Sequence, residues 1–195
     1  MIYGKFSEFE MVKIIDIVML GDSITAGFDT SDLFDYSLIR NYAVSGDSTR
    51  DLINRFNAEW FTSNPEYIFL CIGTNDIARN EKVRDIIINI RSIASNIKQL
   101  VPKGKIVLTS VFPVRNNEAR PLKTIAELNT AIAKLAKDSD HFFFNLHPYF
   151  CDANGMLREE YTSDGLHLTK AAYDEWEIRL NIFLERNIEG KKWQN

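Results

Sequence analysis

Five short apolar runs, separated by longer segments of helical period, constrain the fold of this chain more than any other feature. The runs are Ile14–Leu20 (apolar except for Asp16), Leu38–Val44, Tyr67–Ile72, Lys105–Phe112 and His141–Leu146. Each reads as a strand, the first as a buried one. Between them, Thr49–Trp60 carries Leu52, Ile53 and Phe56 on one helical face, with Asp51 near its start. Glu81–Leu100 places Val83, Ile86, Ile87, Ile90, Ile93, Ile97 and Leu100 at three- and four-residue steps, the spacing of an amphipathic helix. Thr124–Ala136 repeats it with Ile125, Leu128, Ile132 and Leu135, and Thr169–Arg186 closes the chain with Thr169 as an N-cap. Strands alternating with helices predict a parallel α/β sheet covered on both faces, with right-handed crossovers. Asn154-Gly155 marks a turn, and Pro102-Lys103-Gly104 separates a helix from the next strand.

The 195 residues fit one domain, without an internal repeat, low-complexity tract or linker. We divide them into an N-terminal arm over 1–12, a main domain over 13–188 and a C-terminal tail over 189–195. A formal charge of −4, with no basic stripe interleaved with aromatics, argues against nucleic-acid binding. The two cysteines, Cys71 and Cys151, show neither a CxxC nor a Cys/His metal spacing and read as reduced thiols. The opening residues carry acids and lack the apolar core of a signal peptide, and no run reaches membrane-spanning length. These features predict a soluble, cytoplasmic protein.

Open parallel sheets bind ligands beyond the carboxyl ends of their strands. Three of the predicted strands end in small polar residues: Gly21-Asp22-Ser23-Ile24-Thr25, Ser45-Gly46-Asp47-Ser48-Thr49 and Gly73-Thr74-Asn75-Asp76. Such residues also turn chains and cap helices, so one such end would carry little weight. Three that meet at one edge, with a fourth cluster at Ser163-Asp164-Gly165-Leu166-His167, favour a site. Its chemistry is that of acyl transfer. A serine hydroxyl needs an adjacent base, which His167 supplies to Ser23, and Asp164 can hold the imidazole tautomer. The oxyanion needs donors, for which Gly46, Asn75 and the N–H of Ser23 are candidates. There is no G-x-S-x-G, so the nucleophile elbow of α/β-hydrolases is absent.

These four blocks, in this order, resemble those of the SGNH, or GDSL-type, esterase and lipase superfamily, from Gly21 to the last helix. The resemblance implies a three-layer α/β/α sandwich with a flavodoxin-like parallel sheet of about five strands. It implies Ser23 as nucleophile, Asp164 and His167 as acid and base, and Ser23, Gly46 and Asn75 as the oxyanion hole. It implies no cofactor and no metal, and it leaves a homodimer open. Two positions depart from the pattern. Ala43 stands where many members have glycine, and only fourteen residues separate Ser23 from Leu38, an interval made short and acidic by Asp29, Asp32 and Asp35.

Other polar and aromatic residues read locally. His147 is expected to make a local hydrogen bond and His141 to be exposed. Asp22 and Asp76 are expected to cap or brace, and Asp47 to support its own loop. Phe112, Tyr149 and Tyr161 read as core or rim. Arg115, Arg120 and Lys123 read as a solvated loop that would attract an anionic group only if it leaned over the site. The expected function is hydrolysis of short-chain acyl esters through a Ser-His-Asp triad, acetyl esters and those of carbohydrates among them; the alternatives on the same triad are a lysophospholipase, an acyl thioesterase or an acyltransferase. A catalytically silent binding module is the reading from another class.

Overall fold

The structure is a computed structural model that describes residues 14–30 and 37–187. The arm expected over 1–12, the tail over 189–195, and both Asp32 and Asp35 lie outside the described residues. Five strands, β1 (Ile15–Gly21), β2 (Ser37–Asn41), β3 (Tyr67–Cys71), β4 (Lys105–Thr109) and β5 (Phe142–Phe144), form one sheet in the order β2-β1-β3-β4-β5. Every pairing is parallel. This is the flavodoxin-like order, and the three-layer α/β/α arrangement expected from the blocks above is the one observed.

Alternation along the strands divides the core. Val18, Leu20, Ile68, Leu70, Ile106 and Leu108 face one layer. They meet Leu52 of α2 (Thr49–Asn54), the Ile86–Ile90–Ile93–Ile97 stripe of α4 (Val83–Leu100), and Ile125, Leu128, Ile132 and Leu135 of α5 (Leu122–Asp138). Ile15, Ile17, Met19, Tyr67, Phe69 and Val107 face the other layer, which is covered by α7 (Lys170–Asn187) through Ala172, Trp176, Leu180 and Leu184. Side chains one strand position apart thus enter opposite cores, so β1 and β3 need an almost unbroken apolar sequence. Each fully buried side chain of this size contributes about 1.5–3 kcal/mol over its exposed state.

Several boundaries differ from the sequence reading. The single helix expected over Thr49–Trp60 stops at Asn54 and resumes as a 3-10 turn over Ala58–Phe61. Asn57 causes the break: its backbone is extended, and its side-chain oxygen accepts the Glu59 N–H, so it starts a second helix. The strand expected to reach Phe112 ends at Thr109 because the Asn129 side chain from α5 takes over both backbone groups of Val111, at 2.7 and 2.9 Å. Thr169 occupies the N-cap position of α7, and its carbonyl accepts the Tyr173 N–H, but its hydroxyl donates to Glu160 instead of capping. Three short helices, α1 (Ser23–Ala26), α3 (Thr74–Ala78) and α6 (His147–Phe150), are too brief to show a helical period.

The topology prepares a crevice. The chain leaves β1 toward β2 on one side and returns to β3 on the other, so the loops after β1 and β3 diverge at a switch point. Gly21 and Cys71 are register partners, which sets Ser23 and Gly73 at equal height beyond the sheet.

Candidate active site

Asp22 follows β1 and caps α1, its carboxylate accepting the Ile24 N–H at 3.0 Å. Ser23 is the first residue of that helix, so its N–H has no acceptor within the helix. Its Oγ lies 3.1 Å from Nε2 of His167. On the far side of the ring, Nδ1 lies 2.6 Å from Oδ2 of Asp164. The other carboxylate oxygen, Oδ1, accepts the N–H groups of His167 at 2.8 Å and Leu166 at 2.9 Å. These bonds, led by that from His167, hold the Asp164 carboxyl well below the usual carboxylate range. The loop itself depends on Gly165, which has φ +83° and whose carbonyl accepts the Arg115 N–H. A Cβ there would stand 2.2 Å from the Arg115 carbonyl oxygen. The three residues that the sequence reading paired as nucleophile, base and acid are therefore in one hydrogen-bonded line, with His167 and Asp164 each about half-exposed.

The second and third loops are joined from α3. Asn75 donates through Nδ2 to the Asp47 carbonyl at 2.9 Å. Asp76 accepts the Thr49 N–H and hydroxyl, which braces the start of α2 as expected. Ser48 and Asp51 form a capping box at the same helix start. Arg79, which the sequence reading did not single out, donates to Ser48 Oγ, the Asp51 carboxylate and the Gly46 carbonyl. Asp47 is paired with Arg55 at 2.5 Å. Held this way, Gly46 is exposed and has φ +85°, and nothing stands within 4 Å of where its Cβ would be. Glycine is required there by the left-handed backbone, not by crowding.

The expectation for the Arg115–Lys123 loop needs correction. Arg115 is not a solvated cation: it pairs with Asp152 and donates to the Leu157 carbonyl. Arg120 leans into the site, where Nε donates to Thr74 Oγ1 at 3.1 Å and Nη2 to Asn75 Oδ1 at 2.9 Å. Only Lys123 is exposed as expected. Beside Arg120 the β4–α5 loop borders a cleft of about 410 Å³, with Asn116, Asn117 and Glu118 in its lining beside Leu122 and Met156.

His147 behaves as predicted: its Nδ1 meets the Val111 carbonyl at 3.0 Å, and burial lowers its pKa. His141 is half-buried, not exposed, and burial lowers its pKa too. Phe112 is core, packed edge-to-face on Phe150. Tyr149 is partly exposed beneath Arg179, and Tyr161 packs on Phe150. Among the described residues no group of three His, Cys, Asp or Glu side chains is placed to hold a metal ion, and no helix is long and apolar enough to cross a membrane.

Asp22 gives a prediction of its own. Burial pushes its carboxyl from 3.8 up to about 7, against opposing pulls from the Ile24 N–H and Arg120. Because the folded value is raised, the stabilisation from the bound proton is full below the unfolded value and is lost as pH rises to the folded one. Asn is an isostere of the neutral acid and keeps an oxygen for Ile24. Asp22→Asn is therefore expected to gain stability over the wild type as pH rises from about 4 to about 7, by up to about 4 kcal/mol. Urea unfolding of both proteins across that range measures it, and parallel curves would refute the assignment.

Residues 19–175 match the model of the GDSL-like lipase/acylhydrolase family. The chain belongs to this family. A GDSL-like lipase from Bacteroides thetaiotaomicron has the same fold with a TM-score of 0.76, at 28% identity over 89% of this chain and 89% of that one. An acetylxylan esterase from Geobacillus stearothermophilus is 26% identical over 132 residues, which are 62% of this chain and 58% of the relative. An N-acylneuraminate cytidylyltransferase from Streptococcus agalactiae is 25% identical over 183 residues, 94% of this chain. The chain spans 41% of the length of that relative. The GDSL family assignment agrees with the resemblance carried by the four polar blocks.

Proposed function

We propose that this chain is a serine esterase that hydrolyses short acyl esters, acetyl esters of carbohydrates above all. One observation carries the reaction class: the line from Ser23 Oγ through His167 to Asp164, at 3.1 and 2.6 Å. His167 Nε2 takes the hydroxyl proton as Ser23 Oγ bonds to the ester carbonyl carbon. The carbonyl oxygen becomes an oxyanion, met by the N–H groups of Ser23 and Gly46 and by Asn75 Nδ2. As the C–O bond to the alcohol breaks, His167 returns the proton to the leaving oxygen. Water, deprotonated by the same imidazole, then attacks the acyl-enzyme and frees Ser23. Asp164 holds Nδ1–H throughout and stabilises the imidazolium. The scheme calls on no metal and no organic cofactor.

The substrate class rests on the shape and lining of the site. His167 and Asp164 are half-exposed and Gly46 is open, so a long acyl chain would find little surface to bury. Each methylene gains about 0.8 kcal/mol only where it is buried. The cleft beside Arg120 offers amide and carboxylate groups above apolar walls, a lining suited to a sugar's hydroxyls and C–H faces. The names of the acetylxylan esterase and the N-acylneuraminate enzyme both concern carbohydrates, which favours the same class. Asp29 is exposed, and it is the one member of the acidic interval among the described residues.

We expect kcat/KM to fall from acetyl and butyryl esters to decanoyl and longer ones, and acetylated sugars to be better substrates than acyl-CoA. Initial rates on a graded ester series check this. A maximum at long-chain thioesters or lysophospholipids would reject the substrate class and leave the reaction class standing. Adding a competing alcohol and looking for a new ester tests whether the acyl-enzyme also transfers to acceptors other than water.

A further inference from the structure

The geometry points to Arg120 as the positioning residue of the oxyanion hole, acting through the amide of Asn75. A primary amide can sit either way round. One way it offers the oxyanion an N–H; the other way it offers a repelling oxygen. The two groups beside Asn75 leave only one orientation. The Asp47 carbonyl can only accept, so it requires Nδ2 at 2.9 Å. The Arg120 guanidinium can only donate, so it requires Oδ1 at 2.9 Å. Asp47 takes one of the two hydrogens on Nδ2, and the second remains for the substrate.

Arg120 is itself fixed. Its Nε donates to Thr74 Oγ1, one residue before Asn75, so two bonds from a rigid planar group grip adjacent side chains. Thr74 is buried, and Asn75 stands beside it at the start of α3. A cation on Oδ1 also polarises the amide and makes its N–H a stronger donor, an effect that chains of hydrogen bonds share. Arg79 and Asp47 shape the Gly46 loop, but neither side chain contacts Asn75 Oδ1; among the described side chains Arg120 does so. Because Arg120 arrives from the β4–α5 loop, the hole is assembled from four separate chain segments, and its last donor is set by a residue 45 positions away.

This inference rests on the oxyanion role proposed for Asn75, and a double-mutant cycle on a chromogenic acetyl ester separates the two. Arg120→Met is expected to lower kcat by about 10- to 100-fold, below the 10²–10³ typical of deleting a donor itself, with KM changed less than about threefold. Arg120→Lys, which keeps the charge and one donor but not the planar fork, should recover part of the loss. In an Asn75→Ala background, Arg120→Met should cost less than about twofold more, because the group it positions is gone. Losses that multiply, or a change confined to KM, would overturn the inference while leaving Asn75 in its role. An Asn75→Ala enzyme with full kcat would overturn both. Thermal unfolding of each variant is run in parallel, and if Arg120→Met unfolds, the cycle with Arg120→Lys carries the same expected and refuting outcomes.

Discussion

Ser23→Ala should abolish all but a small residue of ester hydrolysis, and His167→Ala should do the same. A loss on the order of 10⁴- to 10⁶-fold in kcat is expected for each, since removing one member of such a unit leaves only binding and the oxyanion hole. The double variant should be hardly worse than either single one. The hydroxyl without its base is a weak nucleophile, and the base without its hydroxyl has nothing to activate, so the second deletion removes a function already lost. Folding should survive both changes: Ser23 is half-buried with one side-chain hydrogen bond, and His167 is exposed. A fluorophosphonate should label the wild type on Ser23 and spare Ser45 and Ser48. His147→Ala supplies the contrast. Its imidazole is engaged with the Val111 carbonyl, away from Ser23, and most activity should remain. Healthy His167→Ala beside dead His147→Ala would require a different base, and labelling at Ser45 or Ser48 a different nucleophile.

How much of this was legible in the sequence depended on which force placed each residue. β1, β3 and β4 lie inside the sheet and bury both faces, so their apolar runs stand out whatever surrounds them. β5 is an edge strand of three residues flanked by His141 and Asn145, and its signal is correspondingly thin. The helix that starts at Thr49 was overextended because Leu52, Ile53 and Phe56 keep a helical period up to the point where Asn57 diverts the backbone. Periodicity reports packing, and the break comes from a local hydrogen bond that periodicity does not register.

The site divides in the same way. Ser23, Gly46 and Asn75 were readable because each follows a strand, and a parallel topology brings strand ends together. Asp164 and His167 were readable from their spacing, which lets the carboxylate meet both the ring and the backbone of the residue three positions on. Arg79 and Arg120 carry no such mark. Arg79 ends a five-residue helix, and Arg120 sits in a loop without period or turn signature. Their partners lie 28 to 46 positions away, and only the folded chain supplies them. Nothing in composition distinguishes Arg115, bound to Asp152, from Arg120, bound to Asn75.

Asn75→Ala is the second large effect, and its form matters as much as its size. The expected result is a fall in kcat of about 10²–10³ with a much smaller change in KM, because a donor aimed at the oxyanion gains most of its strength as charge develops on that oxygen. Alanine also releases the Asp47 carbonyl and the Arg120 guanidinium from their partner. Both lie beside solvent-exposed Gly46 and the open cleft, where water can replace the amide, so the penalty for these two groups should be modest and should appear in stability. Asn75→Asp separates charge from shape. It keeps the size but places an acceptor where the donor stood, and the second carboxylate oxygen would face both the Asp47 carbonyl and the developing oxyanion. It should therefore be slower than Asn75→Ala in neutral solution, although Arg120 would hold it more tightly. Single-turnover measurements of acylation give the chemical step directly. A loss confined to KM would make Asn75 a ground-state binding residue, and Asn75→Asp outperforming Asn75→Ala would show that the amide N–H does not meet negative charge.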